Sequence, residues 1–348
     1  MTEASSGKLS EWTTCGGCAA KWGPGPLTEL LASVGAARGA GVRPVDGERP
    51  GAGALLIGLD AFDDAAVVAL DDETALVSTT DFFPPMVDDP ADYGAIAAAN
   101  ACSDVFAMGG RVVLALNIAA FPEQLPAQVI AAIVSSAADV VAEAGGVVAG
   151  GHTIRSEVPI FGLAVQGLVA RDHIFTKGGA RPGDALVISK PIGTGIVLQG
   201  GTEAARRSTV AGMRALNLAA SAALLALGDR VHAVTDVTGY GLCGHGWEMA
   251  ERSGCTFLLQ SAAVPLYPGA YEAAAQGTRT GGDRRNREHL VDKVASTATA
   301  VLEALAYDPQ TSGGLLAACE PSAVEELSAA GFVEIGSVAA GPARVGLR

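Results

Sequence analysis

Apolar and polar positions fall into a regular pattern only from about Leu55 onward. From there AVVAL (66–70), the acidic turn Asp71-Asp72-Glu73 and ALVST (75–79) predict a β-hairpin whose second strand runs on into Thr80-Asp81. Asp89 before Pro90 reads as an N-cap with proline at the first helical position. The run PADYGAIAAANACSDVFAM then predicts a helix closed by Gly109-Gly110. RVVLALNIAAF (111–121) predicts a strand, PAQVIAAIVSSAADVVAEAG a helix, VVAGG a short strand and PIFGLAVQGLVA another strand. The order β-β-α-β-α-β-β is that of an α/β sandwich with helices on one face.

A boundary near Asp172 precedes a second α/β unit. Its expected elements are a strand at 185–189, helices at about 209–228 and 240–253, a strand TFLLQ, and a terminal strand–helix–strand LLAAC, AVEELSAAG, FVEIGSV. Before Leu55 the pattern fails. Residues 1–54 are rich in Gly and Pro around one short helix expected at Pro26–Val34, and they predict a mobile tail. The chain therefore divides into 1–54, 55–172 and 173–348, and no period of 20 to 50 residues recurs.

Composition adds to this. A length of 348 residues suits two domains, and 49% apolar residues with only 5% aromatics point to cores packed by small side chains. The net charge of −14 argues against unaided binding to nucleic acid or an anionic membrane, so a polyanionic substrate must meet local cations or metal ions. The six cysteines, Cys15, Cys18, Cys102, Cys243, Cys255 and Cys319, show one close pair and no disulfide framework, which suits a reducing cytoplasm. The N-terminus has no basic and then apolar signal pattern. ALNLAASAALLALG (215–228) is too short and too polar to span a bilayer.

Candidate chemistry concentrates on aspartates: Asp63-Asp64 before a strand, Asp81 at the end of the next, Asp104 in a helix and Asp236 in AVTDVTGYG. The ordinary alternatives are caps, turns and solvated residues. Asp104 fits these least well, because it shares an Ala-rich helix face with Asn100, and burying that face requires a partner. Carboxylates gathered near strand ends suit Mg²⁺, which takes oxygen ligands together with substrate phosphates. The glycine stretches AGGHT, KPIGTG and QTSGGLL are tight turns or ligand loops. None matches a P-loop or a dinucleotide fingerprint, so any nucleotide must be held by another fold. Cys15-Gly-Gly-Cys18 lacks the second ligand pair of a zinc site and the strand–helix setting of a redox motif, while Lys21 would favour a thiolate or touch a phosphate. His152 follows a glycine pair at a strand end and is placed to face a ligand.

Taken together, DDAAV, STTDFFPPMVDDPADYGAIAAANACSDVFAMGG, AGGHT, PIFGLAVQG, TDVTGYGLCGH and DPQTSGGLL resemble the selenophosphate synthetase (selenide, water dikinase) family from about Thr14 to the C-terminus. Shorter pieces of this kind recur in the wider superfamily of aminoimidazole ribonucleotide synthetase, thiamine-monophosphate kinase and hydrogenase-maturation proteins. The resemblance implies a two-domain α/β (α+β) aminoimidazole ribonucleotide synthetase-like fold. In that fold the N-terminal sheet pairs with that of a second subunit into a barrel, giving a homodimer. It also implies synthesis of selenophosphate, phosphate and AMP from ATP, water and selenide.

By the same resemblance, Cys18 is the reactive residue and Lys21 the essential lysine of a tail that closes over ATP. Asp64, Asp104 and Asp236 are Mg²⁺ ligands, with Asp81 in the phosphate and metal cluster. Ala61, Phe62 and Asp63 line the nucleotide, and Gly151, His152 and Thr153 reach the partner subunit's ATP. Two positions depart from the family: Ala20 stands where many members carry a second cysteine, and Phe62 where an arginine is common. Rival readings are a related ATP-dependent kinase or amidine-forming synthetase, and a thiol-based metal- or selenium-binding carrier without turnover.

Overall fold

The computed structural model describes residues 8–13, 16–20, 51–59 and 63–348. Cys15, Lys21, Ala61, Phe62 and the helix expected at Pro26–Val34 lie outside the described residues.

The first sheet comprises β1 (Leu55–Ile57), β2 (Ala66–Ala69), β3 (Thr74–Phe83), β4 (Arg111–Phe121), β5 (Val147–Arg155) and β6 (Ile160–Ala170), in the order β1-β2-β3-β6-β4-β5. All neighbours are antiparallel except β4 and β5, which are joined by the crossover helix α2 (Ala127–Glu143). Helix α1 (Pro90–Ala107) starts as its sequence predicts, with Asp89 accepting a hydrogen bond from the Asp92 N–H at 2.9 Å and Pro90 in the first turn. The predicted hairpin, both helices and the intervening strands are all present, and β3 and β5 run longer than expected.

α1 buries almost its whole circumference. Its alanines let it lie close to β3, β6 and α2, and its other side meets the second unit. Tyr93 anchors it to the sheet: the ring packs edge-on against Phe161 and the hydroxyl donates to the Phe83 carbonyl at 2.6 Å.

The second sheet orders β10 (Val294–Ser296), β13 (Arg344–Leu347), β9 (Thr256–Leu259), β12 (Val333–Ala339), β7 (Ala185–Ile188), β11 (Leu315–Cys319) and β8 (Val231–Asp236). Its helices include α3 (Thr194–Gly200), α4 (Glu203–Arg214), α5 (Leu218–Ala226) and α6 (Gly241–Ser253). The single helix expected at about 209–228 is two, α4 and α5. Asn217 breaks it by turning inward, where its Nδ2 donates to Ser103 Oγ at 2.9 Å and to the Gly313 carbonyl at 2.8 Å.

Helices α7 (Ala270–Ala275), α8 (Gly281–His289), α9 (Ala300–Tyr307) and α10 (Val324–Ala329) complete the unit. α8, GGDRRNREH, was not expected because it has no apolar stripe. It is held by polar bonds instead: Asn286 Nδ2 donates to the Gly239 and Tyr307 carbonyls, and Arg287 pairs with Asp283 and Glu303. Among the described residues, no single helix is long and apolar enough to cross a membrane.

Candidate active site

α1 lies between the two sheets, and the polar residues on its flank define the site. Asn100 is fully buried and joins three segments. Its Nδ2 donates to Asp81 Oδ2 at the end of β3, and its Oδ1 accepts the Ser312 N–H at 2.8 Å and the Cys18 thiol at 3.4 Å. One turn further on, Asp104 Oδ2 accepts from Thr79 Oγ1 at 2.5 Å. The i, i+4 spacing of Asn100 and Asp104 thus becomes one polar face of a helix, paired with alternate residues of β3, Thr79 and Asp81.

Cys18 lies in the stretch expected to be a mobile tail. Residues 17–20 form a 3₁₀ turn seated between the units, and Cys18 is 1% exposed. Two glycines make the approach possible. A side chain at Gly16 would meet the Pro85 carbonyl oxygen at 2.0 Å, while Gly17 has φ +62° and would press on Thr311 Oγ1 at 2.7 Å. The Gly17 N–H donates to the Pro84 carbonyl at 2.9 Å and the Cys18 N–H to Thr311 Oγ1 at 3.0 Å. Burial pushes the thiols of Cys102, Cys243 and Cys319 up to about 12, Cys102 also facing Asp104, so these three are inert packing residues.

The second group forms where the loop before β2 meets the end of β8. Asp64 Oδ1 accepts from Thr235 Oγ1 at 3.0 Å and lies 3.1 Å from Lys177 Nζ, while its buried Oδ2 has no hydrogen-bond partner. Lys177 also reaches Glu248 Oε2 at 3.0 Å, and its backbone N–H donates to Asp63 Oδ1 at 2.6 Å. Burial works against the Lys177 charge, but Asp64 and Glu248 overcome it and hold its pKa above the usual lysine range. Burial likewise opposes the Glu248 carboxylate, yet Lys177 and His245 hold it at about 2. His245 Nδ1 sits 3.2 Å from Glu248 Oε2, off the line of a hydrogen bond, with its ring stacked on Tyr240. Asp236, next to Thr235, is buried at the C-terminal end of β8.

TDVTGYG and DPQTSGG, far apart in sequence, lie side by side. The Gln310 N–H donates to the Thr238 carbonyl and the Val237 N–H to the Gly314 carbonyl, both at 2.9 Å. Lys190 closes this corner, its Nζ donating to the Ala215 carbonyl at 2.6 Å and the Ser312 carbonyl at 3.0 Å. Burial lowers its pKa to about 7, with nearby Asp236 pulling the other way. Beside the tail, a cleft of about 1010 Å³ runs from Thr13 and Gly16 past Asp92 to Arg206, Arg285 and Thr311.

The candidates therefore fall into two neighbourhoods, Cys18, Asn100, Asp81 and Asp104 around α1, and Asp63 and Asp64 at Lys177, while Asp236 stands at the end of β8 near Lys190. Among the described residues, no three His, Cys, Asp or Glu side chains converge into one ready-made metal group. Gly151, His152 and Thr153 lie apart from both, exposed on the edge strand β5. Sequence reasoning missed Lys177, Glu248, Thr235, Lys190 and Thr311. Lys177, in FTKGG, carried no motif, and its partners Asp64 and Glu248 lie far from it in sequence.

The model for AIR synthase related protein, N-terminal domain, matches residues 62–169, and that for the C-terminal domain matches 181–345. A selenide, water dikinase of Agathobacter rectalis is 43% identical over 328 residues, covering 91% of this chain and 92% of its own. One of Burkholderia pseudomallei is 42% identical, covering 99% and 98%. Among solved structures, AaThiL complexed with AMPPCP and TMP superposes with a TM-score of 0.67 at 19% identity, with 93% of each chain covered, a likeness of fold.

Proposed function

This chain belongs to the selenide, water dikinase family, within the AIR synthase related proteins, and from that membership we infer that it makes selenophosphate from selenide, ATP and water. AMP and phosphate are the other products. The structural observation that carries the reading is the amide of Asn100, which joins the Cys18 thiol to Asp81 within one buried hydrogen-bonded unit. A selenium-handling group and a carboxylate of the phosphate side are thereby held together.

We assign Cys18 and Lys21 to selenide handling, Asp81 to the phosphate side, and Ala61, Phe62 and Asp63 to the nucleotide. Asp64, Asp104 and Asp236 are the residues that would hold Mg²⁺. The chemistry of this donor set suits the ion: all ligands are oxygen, and Asp64 Oδ2 is buried with no hydrogen-bond partner, Lys177 being paired with the other oxygen. Mg²⁺ bound there would neutralise triphosphate charge in a chain of net charge −14. Mg²⁺ usually takes one or two carboxylates and leaves its remaining positions to phosphates and water. The protein's own work is then positioning. α1 fixes Asn100 and Asp104, Thr79 and Thr235 orient the carboxylates that they touch, and the closely packed units exclude water from Cys18.

We further propose a homodimer formed through the first sheet. β5 is an edge strand exposed along nearly its whole length, and Val147, Ile154 and the neighbouring Leu116 present apolar side chains to solvent at 57%, 56% and 37% exposure. In that arrangement Gly151, His152 and Thr153 face the partner subunit's nucleotide. The test of the site assignment is a pair of serine variants. Cys18→Ser removes selenide-dependent turnover and leaves ATP binding intact, whereas Cys15→Ser is nearly silent; equal losses from the two would overturn the assignment.

A further inference from the structure

We propose that Asn100 and Thr311 are positioning residues that hold Cys18 in a solvent-excluded seat. The inference rests on the reading of Cys18 as the selenium-handling residue, and extends it to the state in which that residue waits.

The orientation of the Asn100 amide is fixed from three sides. Its NH₂ faces the Asp81 carboxylate and its Oδ1 faces the Ser312 N–H. A flipped amide would set oxygen against carboxylate and NH₂ against N–H, so the neighbours permit one orientation only. The sulfur of Cys18 therefore meets a carbonyl oxygen, 3.4 Å away. That contact holds the sulfur at a position 1% exposed.

The backbone is held as firmly. Thr311 Oγ1 accepts the Cys18 N–H at 3.0 Å and the Pro84 carbonyl accepts the Gly17 N–H at 2.9 Å, so the turn is pinned by one residue from each unit. Thr311 is itself placed by its N–H donating to Thr194 Oγ1 at 3.2 Å. It also lines the 1010 Å³ cleft, as Gly16 does, whereas Cys18 is not among the lining residues. Reaction at Cys18 requires the turn to leave this seat.

The test is iodoacetamide alkylation of the full-length protein without selenide or nucleotide, followed at the Cys18 peptide by mass spectrometry. In the wild type, Cys18 reacts at least about 100-fold more slowly than in the same protein unfolded in urea, because only the opened fraction is exposed. Thr311→Val, which removes the acceptor of the Cys18 N–H, speeds alkylation about tenfold with an unchanged melting temperature, and Thr311→Ser restores the slow rate. Alkylation of wild type at the unfolded rate would overturn the proposal, as would equal rates for the Val and Ser variants. Turnover is not read here, so fast alkylation in an enzyme that still makes selenophosphate would sink the seat alone. Slow alkylation in a protein that makes none would sink the functional reading alone.

Discussion

Lys177 Nζ lies 3.1 Å from Asp64 Oδ1, with both side chains nearly buried, so the carboxylate assigned to a metal already has a cation of the protein's own. The lysine also neutralises Glu248, at 3.0 Å. Lys177→Met leaves two buried carboxylates without it and costs about 3–5 kcal/mol of stability at pH 7. The Glu248 carboxyl, held at about 2, contributes stability above the ordinary carboxylate range that is lost as pH falls toward 2. In the variant burial acts on the Glu248 carboxyl without the lysine to oppose it, so the gap to wild type is widest at pH 7 and narrows as pH falls toward 3. Urea unfolding of both proteins between pH 3 and 7 reads this directly; an unchanged midpoint at pH 7 would contradict it.

Asp64→Asn and Asp236→Asn separate catalysis from stability. Each preserves size and removes a charge, and each lowers turnover by about 100-fold or more with unchanged nucleotide occupancy. Asp64→Asn also lowers the urea midpoint, because Lys177 then keeps one carboxylate partner in place of two. Retained turnover in both variants would remove these residues from the site.

Asp308 adds an opposite dependence on pH. Burial pushes its carboxyl up to about 7, despite hydrogen bonds from the Ile196 N–H, Thr280 and Gln310. A carboxyl raised in this way contributes stability fully below its unfolded value near 3.8, and that contribution is lost as pH rises through 7, at about 1.4 kcal/mol per pH unit between the two. Asp308→Asn cannot titrate there, so the difference between wild-type and variant stability shrinks or reverses from pH 5 to 7. Parallel curves would show that the group is ionised in the fold throughout.

Gly17 carries a further expectation. Its φ of +62° and the 2.7 Å approach of Thr311 Oγ1 leave no room for a methyl group. Gly17→Ala unseats the turn, raises the alkylation rate of Cys18 about tenfold or more, and leaves the melting temperature near that of wild type, since the sheets do not depend on the turn. A rate equal to that of wild type would show that the seat tolerates a side chain.

How much of this was legible in the sequence depends on how local each signal is. The order of elements in the first sheet followed from periodicity, and the cap at Asp89-Pro90 fixed the start of α1. The pairing of Asn100 with Asp104 was readable because one helix turn separates them. The ties between the units were not readable. Ser312 finds Asn100 across 212 positions and Cys18 finds Thr311 across 293, and no window of sequence contains either pair. α8 was missed because it has no apolar stripe, and the break at Asn217 because its cause is Ser103 and Gly313, distant in the chain. Composition gave no sign of the contact at Cys18: glycines signal freedom, and at Gly16 and Gly17 they also allow a close approach.

Phosphorus NMR of the protein with Mg-ATP and selenide under anaerobic conditions tests the activity most directly. A selenophosphate resonance is expected to grow together with AMP and phosphate, with no selenophosphate when selenide is omitted. ATP that stays intact, or is cleaved without any selenophosphate resonance while selenide is present, would contradict it.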